Sequence, residues 1–140
     1  MVWRDRPEGC GGHLKTCILS RLPSGLLASR VAIHGPLGTT AVQLILDTRA
    51  VYTVIHPKFL ERIGVTPTGE VPVRTLERTL RLPVFTVERV SLFGKVLGPY
   101  STLGFAQAAF TSGVDGVLSI GILRSLAARL DFASGVLTIP

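Results

Sequence analysis

A chain of 140 residues, 46% of them apolar and 17% charged, is long enough for one domain with a real hydrophobic core and too short for two. Its net charge of +6 comes mostly from arginines dispersed from Arg4 to Arg129, without the basic stripe or stacking aromatics of a nucleic-acid module; this excludes nucleic acid as the expected partner and favours acidic peptides or proteins. Charges interrupt every apolar run before membrane-span length, and the amino terminus lacks the basic, apolar, small order of a signal peptide, so the expectation is a soluble cytoplasmic protein with no membrane partner.

Residues 1–25 hold glycine, proline and charges with little periodicity, and read as an N-terminal extension to a domain over 26–140. Cys10, His13 and Cys17 fall in this segment. A zinc site needs a fourth ligand, and the spacing matches no common one, so the expectation is free thiols in a reducing compartment and no metal. From Ala28 the pattern becomes strand, turn, strand: Ala28 to His34, the turn Gly35-Pro36-Leu37-Gly38, and Thr39 to Leu46. This hairpin delivers Asp47 to its end. Val51 to Ile55 is β-prone, and His56-Pro57 opens a short helix over Lys58 to Ile63 that stops at Gly64. Val71 to Val73, Leu80 to Val87, Val90 to Phe93 and Val96 to Leu103 continue as a β-meander. A glycine-punctuated strand, Gly116 to Gly121, leads to a second helix over Ile122 to Ala128 and a closing hairpin, Leu130 to Phe132 and Val136 to Ile139. The fold class expected is all-β with one or two short helices.

Asp47 is the residue that needs a reason. Leu44-Ile45-Leu46 approach it as an apolar strand, and a carboxylate carried into apolar surroundings must be hydrogen-bonded, neutralised or functional; the pattern predicts partial desolvation. His34, at a strand end, and His56, before a helix proline, pair with no nucleophile by spacing and read as surface or capping residues. Ser112 and Ser119 have no positioned base, and no glycine-rich phosphate loop joins a strand to a helix.

The order strand, Asp47-Thr48-Arg49-Ala50, short helix, meander, Gly116-Val117-Leu118-Ser119-Ile120-Gly121-Ile122-Leu123, and Leu130-Asp131-Phe132 with Gly135, Leu137 and Thr138 resembles a single-domain retroviral-type (retropepsin-like) aspartic protease over about residues 28–139. The resemblance implies a half-sized lobe with one catalytic aspartate, hence a two-fold homodimer in which Asp47 of each copy shares a proton with its mate and water attacks the peptide bond. It implies a peptide or protein substrate and neither a metal nor an organic cofactor. Thr48 resembles the residue that braces the two loops, and Ala50 the small residue beneath the site. Arg74, Thr75, Leu76, Glu77 and Arg78 fall where the family has its substrate-covering flap, with no glycine between Gly69 and Gly94 to ease a tight tip. Ser119 stands where the family commonly has glycine, and Gly121 where many bacterial members have aspartate.

The main departure is Arg49, at a position the family gives to glycine. Directed along a substrate groove, Arg49 is compatible with an aspartic endopeptidase. Turned onto Asp47, it favours the charged carboxylate and removes the dyad's acid, leaving a catalytically inactive pseudo-protease that binds extended peptide by strand addition or serves as a scaffold dimer. A structural Asp47–Arg49 ion pair in a domain without a site is the third reading. The sequence leaves these open, with the endopeptidase first.

Overall fold

A computed structural model describes residues 2–5, 15–106 and 113–140, the first four by backbone alone. The described residues form an all-β fold with two short helices. In order, β1 (Val2–Asp5), β2 (Lys15–Ile18) and β3 (Ser20–Arg21) precede the long hairpin of β4 (Leu27–Gly35) and β5 (Gly38–Leu46). β6 (Val54–Ile55) and α1 (Pro57–Arg62) follow, then β7 (Pro67–Arg74), β8 (Thr79–Val87), β9 (Arg89–Leu92), β10 (Lys95–Leu97) and β11 (Tyr100–Gly104). The last segment is β12 (Gly116–Leu118), α2 (Ile120–Ser125), β13 (Arg129–Asp131) and β14 (Val136–Ile139).

Alternation sets the register of the first hairpin. Val31 and Ile33 of β4 and Val42, Leu44 and Leu46 of β5 are buried, each separated by a residue facing the other way, and Val31 pairs with Val42. The two-residue turn closes where Gly35 pairs with Gly38, the latter at φ +140°, a conformation that favours glycine. The main sheet runs β10-β9-β4-β5-β12-β6-β11-β8-β7, with β3 added on β4. Its critical insertion is β12, parallel to β5 and antiparallel to β6.

Within the segment read from the sequence as an extension, Lys15–Ile18 and Ser20–Arg21 are paired strands. β2 lies against β14, with Cys17 opposite Leu137, and both side chains are fully buried. A second sheet results, ordered β1-β2-β14-β13. A four-residue strand has too few alternations to stand out, and its partner lies more than a hundred residues away. Burial pushes the Cys17 thiol up to about 11, so at pH 8 it stays protonated and enclosed. In a Cys10→Ser background we expect thiol reagents to label native protein no faster than it unfolds; rapid labelling at pH 8 would reject this packing. Cys10, His13 and Ser112 lie outside the described residues.

Other boundaries moved for local reasons. α1 begins at Pro57 because His56 Nδ1 accepts from the Lys58 N–H at 3.1 Å, which makes His56 a cap. α2 begins at Ile120, two residues before the expected start, because Ser119 is its N-cap, its Oγ accepting from the Ile122 N–H. The strand expected over Gly116 to Gly121 therefore ends at Leu118. The strand expected over Val96 to Leu103 is split around Gly98-Pro99, where proline cannot donate to a ladder. β7 is longer than expected, running from Pro67 with a register shift between Pro67 and Gly69.

Gly121 lies in the first turn of α2, and a Cβ there would meet only Ser119 Oγ, at 3.7 Å. Gly121→Ala is expected to stabilise the fold by about 0.5 kcal/mol, since alanine loses less backbone entropy in a helix. A denaturant midpoint unchanged or lowered would contradict that. Among the described residues no helix is long and apolar enough to cross a membrane.

Candidate active site

β5 ends at Leu46 and β6 begins at Val54, and both strands are hydrogen-bonded to β12 between them. The loop carrying Asp47 is thus hung from two strands that share one neighbour. Only glycine permits this spacing at Gly116, where a Cβ would stand 1.9 Å from the Val54 carbonyl oxygen. Within the loop, the Ala50 N–H donates to the Asp47 carbonyl at 3.1 Å, and the Ile120 N–H at the start of α2 donates to the Ala50 carbonyl at 3.0 Å.

A buried polar cluster holds the far side of the loop. Thr53 Oγ1 accepts from the Ser119 N–H at 3.0 Å and lies 2.7 Å from the Tyr100 hydroxyl, which is 3.3 Å from Ser119 Oγ. The Thr53 carbonyl accepts from the Leu103 N–H and from Thr102 Oγ1, each at 2.9 Å. β6, β11 and α2 are tied together behind the aspartate, so the loop is positioned by groups whose unmade hydrogen bonds would each be costly. Sequence reasoning missed Thr53 and Tyr100. Their signal is a buried threonine bonded to a half-buried tyrosine, and burial is visible only in three dimensions.

The carboxylate is half-buried, in line with the partial desolvation that the apolar strand predicts. Asp47 is not in the core: its side chain is 42% exposed at the strand end. Oδ1 accepts the Arg49 backbone N–H at 2.9 Å. The Arg49 side chain is 94% exposed, with Nε 4.0 Å from Asp47 Oδ1, a long, solvated contact worth at most about 1 kcal/mol. Among the described non-glycine residues only Phe93 and Ala127 have positive φ. Arg49 therefore sits in an ordinary backbone conformation, and its side chain leaves the loop without strain. Thr48 is exposed and Ala50 half-buried.

A cavity of about 410 Å³ opens at Asp47. Ala50, Val54, Leu103 and Val117 line one side, while Val73, Arg74 and Leu82 of the β7–β8 hairpin line the other. Of the five flap residues expected from the sequence, Arg74 reaches this cavity. Thr75, Leu76, Glu77 and Arg78 form the hairpin tip and border a separate groove with Leu80 and Phe105. The tip closes without glycine because Thr75 bonds across it: its N–H and its hydroxyl both donate to the Arg78 carbonyl, at 2.8 and 2.7 Å, and its Oγ1 accepts from the Arg78 N–H at 3.1 Å. The aliphatic lining was not singled out from the sequence, since period-2 patterning assigns a face and not a cavity.

His34 is remote, bonded to Ser91 Oγ and Thr39 Oγ1 at 2.9 Å each. No cluster of histidine, cysteine or acidic residues capable of holding a metal ion occurs among the described residues.

No family model matches the sequence, and no curated protein does either. Solved structures do match in fold. The chain is similar to a retropepsin-like aspartic protease from Rickettsia conorii, with 14% identity over 99% of this chain and 95% of that one and a TM-score of 0.64. It is similar to EIAV protease complexed with the inhibitor HBY-793, with 17% identity, coverage of 76% and 92%, and a TM-score of 0.58. It is also similar to the retroviral protease-like domain of Ddi1 from Leishmania major, with 17% identity, coverage of 81% and 87%, and a TM-score of 0.56. Identities this low speak for architecture alone, and on that architecture the chain has the fold of a retropepsin-like aspartic protease.

Proposed function

We propose that the chain is an aspartic endopeptidase whose dyad forms from Asp47 of two copies. The observation that carries this reading is the position of Asp47 on this fold, at the mouth of an apolar cavity covered by a hairpin. Val51 and Tyr52, large apolar side chains left exposed beside Asp47, supply a face for the second copy to cover. β14 is already flanked by β2 and β13 of its own chain, so the contact between copies is assigned to the Asp47 loops and to the outer edges of the second sheet.

Two carboxylates brought together at a two-fold axis cannot both ionise, so the pair holds one proton. The ionised member takes a proton from water as the water oxygen attacks the scissile carbonyl carbon, and the protonated member gives its proton to the carbonyl oxygen. Collapse of the tetrahedral intermediate returns a proton to the leaving nitrogen. Thr48 braces the paired loops and Ala50 keeps the space beneath them small. Water is the only co-substrate. A reducing compartment such as the cytoplasm suits the unpaired, buried Cys17.

A non-cleaving peptide-binding dimer is the second reading, favoured by the Arg49 guanidinium lying within 4.0 Å of Asp47. Its near-complete exposure favours the first, because a solvated cation perturbs its neighbour weakly. The deciding experiment is cleavage of a diverse peptide mixture from acidic to neutral pH, beside Asp47→Asn. Cleavage abolished by the substitution supports the endopeptidase. Peptide binding without cleavage by folded, dimeric protein overturns it.

A further inference from the structure

Apart from Asp47, the charged residue lining the 410 Å³ cavity is Arg74. Arg49 is not part of the lining; it belongs to the loop that supplies the lining residues Asp47 and Ala50, and its side chain is 94% exposed. Among the described residues the Asp47–Arg49 contact is the one ion pair, so Arg74 has no carboxylate partner and Arg49 has only a distant one. The rest of the lining is aliphatic apart from Pro72 and Tyr52, with Val51, Val54, Val73, Leu82, Leu103 and Val117 surrounding the space. Each of the two elements that bound this apolar pocket thus carries an arginine: Arg74 of the β7–β8 hairpin in the lining itself, and Arg49 in solvent on the Asp47 loop.

We infer that the site selects extended peptides in which a bulky apolar residue is flanked by glutamate or aspartate. The inference rests on the reading of this site as peptide-binding and names the class of peptide. The apolar side chain fills the cavity, where burial of its surface supplies most of the affinity. The neighbouring carboxylates meet guanidinium groups, whose planar forks match carboxylate geometry in one or two charge-assisted hydrogen bonds. A lysine in the same place would meet like charge, so the arginines also select against basic peptides. The net charge of +6 adds long-range attraction for acidic segments without contributing to this discrimination locally.

The test is binding of a fluorescein-labelled peptide with a central Phe-Leu, flanked on both sides by glutamate and carrying a reduced-amide bond that cannot be cleaved. Its affinity for the full chain at pH 6.5 is compared with that of the same peptide carrying glutamine. We expect the glutamate peptide to bind about tenfold more tightly. Arg49→Gln and Arg74→Gln should each shrink that ratio and together bring it near one, while Arg89→Gln on β9, across the sheet, removes the same charge without changing it. Equal affinities, a ratio that falls as much with Arg89→Gln, or no binding by folded protein would each overturn the inference. Cleavage of the ordinary amide version reports on the endopeptidase separately. Acid preference without cleavage leaves the specificity standing and removes the dyad; cleavage without acid preference does the reverse.

Discussion

Added Asp47→Asn protein is expected to poison wild-type protein. Alone, the variant should lose about a thousandfold or more in cleavage rate, because an amide can neither take a proton from water nor carry the acid's proton. Its fold should survive. Asparagine Oδ1 can still accept the Arg49 N–H that Asp47 Oδ1 accepts at 2.9 Å, and exchanging a charged for a neutral acceptor at a half-exposed site costs about 1 kcal/mol or less. If two copies build one dyad, a mixed dimer has one carboxylate and is silent. At fixed wild-type concentration, an equal amount of exchanging variant should then halve the activity, and a ninefold excess should leave about one tenth. Activity that ignores the added variant, after subunit exchange has been verified by a labelled copy, would mean that one chain works without a second Asp47.

The parts of this site that were legible in the sequence are those carried by local pattern. Alternating Val31, Ile33, Val42, Leu44 and Leu46 specify a two-sided hairpin whatever surrounds it, and the run Leu44-Ile45-Leu46 names the residue at its end. The tie between that hairpin and β12 was legible only as an order of motifs. Other features depend on separation in the chain. Lys15–Ile18 acquires meaning from Val136–Ile139, and Thr53, Tyr100 and Ser119 form a bonded group from three distant segments. Ser119 shows a third difficulty: one residue was in position to continue a strand or to cap a helix, and the hydrogen bond to the Ile122 N–H chose the cap. The apolar strand implies a partly desolvated Asp47, and the side chain is indeed half-buried, since full burial belongs to the strand's inner face and ends with it. In one chain the carboxylate is half in water, and the proposed dimer would cover it.

Gly116→Ala is expected to be the most damaging small substitution in the chain. Its Cβ would lie 1.9 Å from the Val54 carbonyl oxygen, 2.9 Å from the Val54 carbonyl carbon and 3.0 Å from Ile55 Cα. All three are backbone atoms of β6, so no side chain can swing aside. Relief requires β12 to move from β6, against the pairings of Gly116 with Ile55 and with Leu44 on its other side. It also strains the flanking bonds, in which the His56 N–H donates to the Asp115 carbonyl and the Asp115 N–H to the Gln43 carbonyl. The cost should reach about 3 kcal/mol or more, the range of overpacking against a rigid wall, and show as a lower denaturant midpoint. The loss of function should exceed the loss of fold. The Asp47 loop hangs between the two strands that β12 spaces, and displacing one by an ångström would misalign the carboxylate in the proposed dyad, costing about a hundredfold in rate even in molecules that remain folded. Gly69→Ala, on the exposed β7 strand with nothing within 4 Å of the new methyl group, is the matched control and should change neither property appreciably. A Gly116→Ala protein as stable and as active as this control would refute the close approach of β12 and β6, and with it the account of how Asp47 is held in place.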